Sequence, residues 1–351
     1  MKVGVITFIS DNYGALLQSY SMQIILKRLG FTSEIINRPW GNFCRKRKIK
    51  DRIKSWYEPN VFSEFRKTFL PLSNIIKDEE GLKNISSRYD AIIVGSDQVW
   101  NCDCIDEMGY FYYLDWVPDD VGKYSYAVSF GKDTFNTSDK DRCRVKELIA
   151  RFNKISVRES SGVRICKNSF DIDADNLIDP TLLLSKEDYV RIINKKKNNK
   201  SYVCQFFLDC NEFKTRLSAI IATKFGCNII DNYPEPLSKI DYILRKKRFP
   251  TVAVWLSNIE NADYVITDSF HGMVFSIIFH KKFVVINNKQ RGSARFESLL
   301  TKLSLMDRLI DDTIEPQRVL SLLEIPIDYD MIDKIIDIER NKSLNFLKSI
   351  Q

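Results

Sequence analysis

Ala262-Asp-Tyr-Val-Ile-Thr-Asp-Ser-Phe-His-Gly-Met-Val-Phe-Ser-Ile-Ile-Phe279 is the stretch from which the fold can be read. Tyr264-Val265-Ile266 is an apolar run of strand length, and Thr267-Asp268-Ser269 punctuates it. Gly272 then opens an apolar run that predicts a buried helix over Met273–Phe279. A strand feeding straight into a helix is the unit of a parallel sheet. His271, one of two histidines among 351 residues, sits at that junction. Open α/β sheets bind ligands at the carboxyl ends of their strands, and helix N-termini attract anions. Imidazole also exchanges protons near neutral pH. The same position suits a plain hydrogen-bonded loop histidine, and local sequence leaves both readings open. His280 reads as a helix end, where a cation suits the helix dipole.

The pattern repeats in both directions. Upstream, strands are expected at Val3–Phe8, Glu34–Asn37, Ala91–Val94, Tyr124–Phe130 and Lys154–Val157, with a helix from Gly14 to Leu29 capped near Asn12. A polar run, Asn194-Lys-Lys-Lys-Asn-Asn-Lys200, reads as a domain boundary. A second series follows: strands at Tyr202–Phe207, Cys227–Asp231 and Phe283–Asn287, helices at Glu212–Phe225 and Ala253–Glu260, and a last helix from about Tyr329. Such alternation predicts parallel sheets covered by helices. The expected fold class is α/β: two Rossmann-like domains, about 1–190 and 200–351, facing a cleft. The first carries a helical insertion at about 43–70, and the C-terminal helix has room to pack back on it.

Composition narrows the class. Hydrophobic residues make up 44% and charged residues 28%, as in an ordinary folded protein. No apolar run approaches the roughly 20 residues that span a bilayer. The first residues, Met1-Lys-Val-Gly-Val-Ile-Thr-Phe-Ile-Ser-Asp11, read as a strand and not as a secretion signal. The eight cysteines show no zinc-knuckle spacing, which predicts reduced thiols in a cytoplasmic protein. The net charge of +7 comes largely from Arg45-Lys-Arg-Lys-Ile-Lys-Asp-Arg-Ile-Lys54. With Ile49, Ile53, Trp56 and Tyr57 at helical spacing, residues 45–57 make a basic amphipathic helix. It could rest on the inner face of the cell membrane, or its apolar stripe could pack on the domain and leave the basic face solvated. One basic patch is thin support for a nucleic-acid partner, and none is expected.

Several chemistries lack their motifs. No G-x-G-x-x-G follows the first strand, and no Walker loop or G-x-S-x-G elbow occurs. Two histidines exclude a histidine-rich metal site, and no metal is expected, although an all-carboxylate site stays open. What remains is polar residues at expected strand ends: Asn12, Tyr13 and Gly14; Ser96, Asp97 and Gln98; Ser129 and Gly131; Arg158 and Glu159; Asp268, Ser269 and His271, with Arg291 and Arg295 downstream. Arginine forks beside one histidine suit a small anionic substrate. Each residue also has a plainer reading. Asp97 would serve as a helix cap, and Arg158 would pair with an acidic neighbour on the surface.

In chain order, Asp11-Asn-Tyr-Gly-Ala-Leu-Leu-Gln18, Gly95-Ser-Asp-Gln-Val-Trp-Asn101, Ser125-Tyr-Ala-Val-Ser-Phe-Gly131, Ser156-Val-Arg-Glu159, Asp179-Pro-Thr-Leu-Leu183 and Thr267-Asp-Ser-Phe-His-Gly-Met273 form a series. Together they resemble the polysaccharide pyruvyl transferase family over nearly the whole chain. The resemblance implies a GT-B-like fold and pyruvyl transfer from phosphoenolpyruvate, as co-substrate, to two hydroxyls of one sugar, giving a cyclic ketal. It implies no further cofactor, and a sugar or lipid-linked saccharide as acceptor. It gives His271 the role of general acid and Arg158 that of donor-anion ligand. Asn12, Tyr13, Gly14, Ser96, Asp97, Gln98, Ser129 and Asp268 are the expected substrate contacts. Many members carry arginine two residues before the histidine, where this chain has Ser269. Either Arg291 or Arg295 takes over that donor contact, or the donor differs. A GT-B glycosyltransferase using a nucleotide sugar, and a non-catalytic glycan-binding member, are the alternatives.

Overall fold

Ala91-Ile-Ile-Val94 is buried along its whole length, as a strand covered by helices on both sides must be. It is one of six parallel strands in the first sheet: β1 (Lys2–Ile6), β2 (Thr32–Ile35), β3 (Ala91–Val94), β4 (Gly122–Val128), β5 (Lys154–Val157) and β6 (Asp175–Asn176), in the order β2-β1-β3-β4-β5-β6. The second sheet holds β7 (Tyr202–Phe206), β8 (Asn228–Asp231), β9 (Tyr264–Thr267), β10 (Lys282–Ile286) and β11 (Leu309–Ile310), also all parallel, in the order β11-β10-β9-β7-β8. This computed structural model describes residues 1–39, 60–193, 200–233, 249–288 and 291–350. The expected basic helix at 45–57 lies outside the described residues. No helix among them is long and apolar enough to cross a membrane.

The chain divides into two compact units, each built on one sheet. The first comprises Met1–Arg52, Phe65–Leu183 and Asp337–Gln351, and the second Ile53–Glu64 and Leu184–Ile336. Both sheets share one topology. The second strand of each unit pairs outside the first, and the third starts the opposite wing. That reversal makes a topological switch point, between β1 and β3 in one unit and between β7 and β9 in the other.

The first core is aromatic. Trp100, fully buried, stacks on Tyr113 at 5.7 Å and packs against Phe130 and Phe152. In the second unit one cluster is aliphatic, with Val203, Ile266, Val284 and Ile286 of the sheet packed with Leu217, Ile221, Val319 and Leu323, and a second gathers Phe206 and Phe275 around the buried Trp255. Full burial of such a side chain contributes roughly 1.5–3 kcal/mol.

Two local features position strand-end residues. The β4–β5 register shifts between Ser125 and Val128, and Ala127 has φ +46°. The displaced Ala127 N–H donates instead to Ser156 Oγ at 2.9 Å, which satisfies it inside the sheet. In the second unit the helix after β9 spans Phe270–Ile278 and starts three residues before the expected Met273. Ser269 caps it, its Oγ accepting from Gly272 N at 3.4 Å. His271 therefore stands in the first helical turn and not in a loop before it. An apolar-run reading misses this turn because its start is set by a polar cap. His280 lies two residues past that helix, in left-handed backbone at φ +54°. Its ring stacks on Tyr329 at 4.4 Å, and its Nε2 is 3.1 Å from Asp333 Oδ1.

Candidate functional site

The carboxyl edge of the first sheet carries the candidates of the first unit. Asn12 caps the helix Tyr13–Arg28, its Oδ1 accepting from Gly14 N at 2.8 Å and Ala15 N at 3.4 Å, and Tyr13 is buried in its first turn. Past β3, Ser96 Oγ donates to Asp179 Oδ2 at 2.8 Å. Asp97 is held at φ +126°, a conformation side chains other than glycine rarely adopt. Its carboxylate accepts from Gln98 N at 2.8 Å, and its carbonyl accepts from Ser129 N at 2.9 Å. Asp97 thus ties β3's exit to β4's exit and caps no helix. The Gln98 side chain lies against Gly131, where a Cβ would come within 2.8 Å of it, and Gly131 has φ +71°.

Arg158 leaves the end of β5 and is buried. Its Nη1 donates to Asp179 Oδ2 at 2.6 Å and to Ser96 Oγ at 3.3 Å, and Nε lies 4.0 Å from Glu159 Oε2. The expected acidic partner exists, but the pair lies in the interior: the Arg158 side chain is 3% exposed and Asp179's 0%. Burial alone would lower the Arg158 pKa, yet the carboxylates of Asp179, Glu159 and Asp97 raise it. Glu159 Oε1 accepts from Ser129 Oγ at 2.9 Å, Phe130 N at 2.7 Å and Gly131 N at 3.2 Å. Ser96 and Arg158 therefore meet at Asp179, and Ser129 meets Glu159.

In the second unit, Asp268 follows β9 and is buried. Its carboxylate accepts from Leu208 N at 2.6 Å, Asp209 N at 3.1 Å and Lys214 Nζ at 2.7 Å. Those bonds tie the exits of β7 and β9 together across the switch point. Thr267 Oγ1 donates to Phe206 O at 2.7 Å and accepts from Ser269 N at 3.0 Å. A Cβ on Gly272 would collide with that hydroxyl, which is why glycine follows His271. The His271 ring is 5.3 Å from Phe270, edge to face, and the Arg295 guanidinium lies 5.9 Å from the Phe270 ring. Arg291 is elsewhere engaged, forking onto Asp209 with Nε–Oδ2 at 2.5 Å and Nη2–Oδ1 at 2.8 Å. Hydrogen bonds from Arg291 lead in lowering the Asp209 pKa to about 2, against burial and with help from Asn288. Ser269, His271 and Arg295 thus gather around Phe270, while Arg291 belongs to a separate pair.

A pocket of about 360 Å³ opens at the exits of β7, β10 and β11, lined in part by Asp209, Asn211, Lys214, Asn288, Asp311 and Asp312. Reading the sequence for site residues misses Asp179, Asp209, Lys214 and Asn288. Asp209 and Asn288 come shortly after β7 and β10, so polar punctuation past a strand marks them too, though less directly than it marks Asp268. Lys214 lies inside a helix and gives no such signal. Among the described residues no group of three His, Cys, Asp or Glu is placed to hold a metal ion. The seven described cysteines are free thiols.

Two parallel sheets with alternating helices define a GT-B-like pair of Rossmann-like domains. Solved structures agree at the level of fold. The putative UDP-N-acetylglucosamine 2-epimerase of Listeria monocytogenes superposes with a TM-score of 0.54 at 9% identity, over 100% of this chain and 91% of that one. MnaA of S. aureus with UDP gives 0.53 at 10% identity, over 95% and 90%. A UGT transferase of Siraitia grosvenorii in complex with UDP gives 0.50 at 8%, over 99% of each chain. No curated protein matches the sequence. The family model of polysaccharide pyruvyl transferases matches residues 12–290, and the chain belongs to that family of transferases.

Proposed function

We propose that the protein transfers the pyruvyl group of phosphoenolpyruvate to two hydroxyls of one sugar, closing a cyclic ketal on a surface polysaccharide or its lipid-linked precursor. Family membership supports the transferase class. The observation that carries the chemistry is His271, held in the first turn of a helix at the carboxyl end of β9 beside the switch point. Protonated, His271 delivers a proton to C3 of the enolpyruvyl group, which makes C2 electrophilic. One sugar hydroxyl adds there and returns a proton to the imidazole. The C2–O bond to phosphate breaks, phosphate departs with the second proton, and the second hydroxyl closes the ketal. The scheme asks for no cofactor.

The donor carries a carboxylate and a phosphate, which guanidinium groups match. Arg158 is assigned one of them. Ser269 leaves open the place where relatives carry arginine, and Arg295, packed on the ring that adjoins His271, is assigned that role. Arg291 already commits Nε and Nη2 of its fork to Asp209 and is the weaker choice.

Candidate acceptor sugars incubated with phosphoenolpyruvate should gain a pyruvyl group by mass. His271→Ala should lower turnover about 10²–10⁴-fold without shifting the unfolding midpoint. Turnover near that of the wild type would end the general-acid assignment. One observation favours a second reading, glycosyl transfer from a nucleotide sugar: the arginine missing at Ser269. A thermal shift with UDP-sugars and none with phosphoenolpyruvate would put that reading first.

A further inference from the structure

We propose that Asp179 is a positioning residue for the donor, its buried carboxylate fixing the Arg158 guanidinium and the Ser96 hydroxyl in one geometry. The inference rests on the reading that Arg158 binds phosphoenolpyruvate. Three segments distant in sequence meet at this carboxylate. Oδ2 accepts from Ser96 Oγ at 2.8 Å and from Arg158 Nη1 at 2.6 Å. Oδ1 accepts from Thr181 Oγ1 at 2.7 Å and Thr181 N at 3.0 Å. With two donors on each oxygen the carboxylate has no freedom to turn. Pro180 restricts the backbone of Asp179 to extended conformations, which sets the approach from the chain side. Asp179, Ser96 and Thr181 are all buried, so water does not compete for these bonds.

The charge count points to function. One buried guanidinium faces two buried carboxylates, Asp179 and Glu159. Desolvating such a cluster is costly, and apolar residues of similar volume commonly stabilise a core as well or better. What the ionic arrangement supplies is a fixed direction for Arg158. Charge and orientation also make opposite predictions. As a mere countercharge, Asp179 repels an anionic donor, and removing its charge tightens binding. As the group that orients Arg158, it helps binding, and its loss weakens it despite the charge removed.

The test measures the Michaelis constant for phosphoenolpyruvate and kcat in Asp179→Asn, Arg158→Ala and the double variant. Asp179→Asn is expected to raise that constant on the order of tenfold, the scale of coupling between contacting charged groups, with kcat changed less. In the Arg158→Ala background the same substitution should add nothing, because Asp179 acts through Arg158. A lowered or unchanged constant, or losses that simply add, would overturn the proposal. If Asp179→Asn fails to fold, Thr181→Val keeps the charge and removes one of the two hydrogen bonds to Oδ1, the hydroxyl one, while the backbone N–H stays. It should raise the constant in the same direction by less, and an unchanged value in folded protein counts against the idea. Wild-type protein without phosphoenolpyruvate-dependent turnover would instead remove the pyruvyl-transfer reading, a result that needs no variant at all.

Discussion

The two sheets share one strand order, yet their carboxyl edges are built differently. In the first unit the edge is an interior one: Arg158, Glu159 and Asp179 are almost without solvent contact, Arg158 donates to Asp179, and the two carboxylates accept from Ser96, Ser129, Thr181 and three backbone amides. In the second unit the network is graded. It begins at the buried Asp268–Lys214 pair, passes through Asn288, and ends at the Asp209–Arg291 pair, whose side chains are 43% and 48% exposed. Topology brings polar residues to a strand end. Burial then decides whether they act as a fixed frame or meet solvent.

If burial is what separates these groups, substitutions should rank by it. Glu159→Ala in the first unit takes the acceptor from Ser129 Oγ and two backbone amides and removes one of the two carboxylates facing Arg158. Asp268→Ala in the second takes the acceptor from the buried Lys214 and two backbone amides. Each should cost about 3–5 kcal/mol of unfolding free energy, measured in urea. Comparable losses would mean that both edges hold a rigid frame; a small loss at Glu159 alone would show that the first edge tolerates repacking. Gly272→Ala comes next. Its methyl meets Thr267, and the helix carrying His271 must shift, for about 1–3 kcal/mol. A cost near zero would show that the helix is not seated against β9. Arg291→Ala should cost least, about 1 kcal/mol or less, because its pair is solvent-screened. The sign with pH is fixed. The Asp209 pKa is depressed to about 2, so its contribution is present above the ordinary carboxylate range and fades as pH falls toward 2. Acid unfolding curves of wild type and Arg291→Ala should therefore converge at low pH. A gap persisting below pH 2 would assign the Arg291 contribution to packing.

Much of this frame is legible in the order of the residues. Ala91–Val94, Lys154–Val157, Tyr264–Thr267 and the helix Glu212–Phe225 fall where periodicity puts them, because each pairs an unbroken hydrophobic pattern with clear punctuation. The cap at Asn12 is legible for the same local reason. The start of the helix at Phe270 is not, since apolar counting passes over a polar cap. The strand Gly122–Val128 begins before Tyr124 and stops short of Phe130, the bounds of the run expected from the sequence. There the ladder, not the side chains, sets the end.

The sequence alone determined the alternation, the two parallel sheets and the polar residues closing their strands, because these follow from the spacing of side chains along the chain. Only the tertiary structure decided which of those residues meet. Asp179, Ser96 and Arg158 are joined by contacts across 83 and 21 positions, and Lys214 reaches Asp268 across 54. Periodicity within one segment carries no information about the partner a charged group finds after the strands pair. That partner fixes whether the group is buried and bound or left to water.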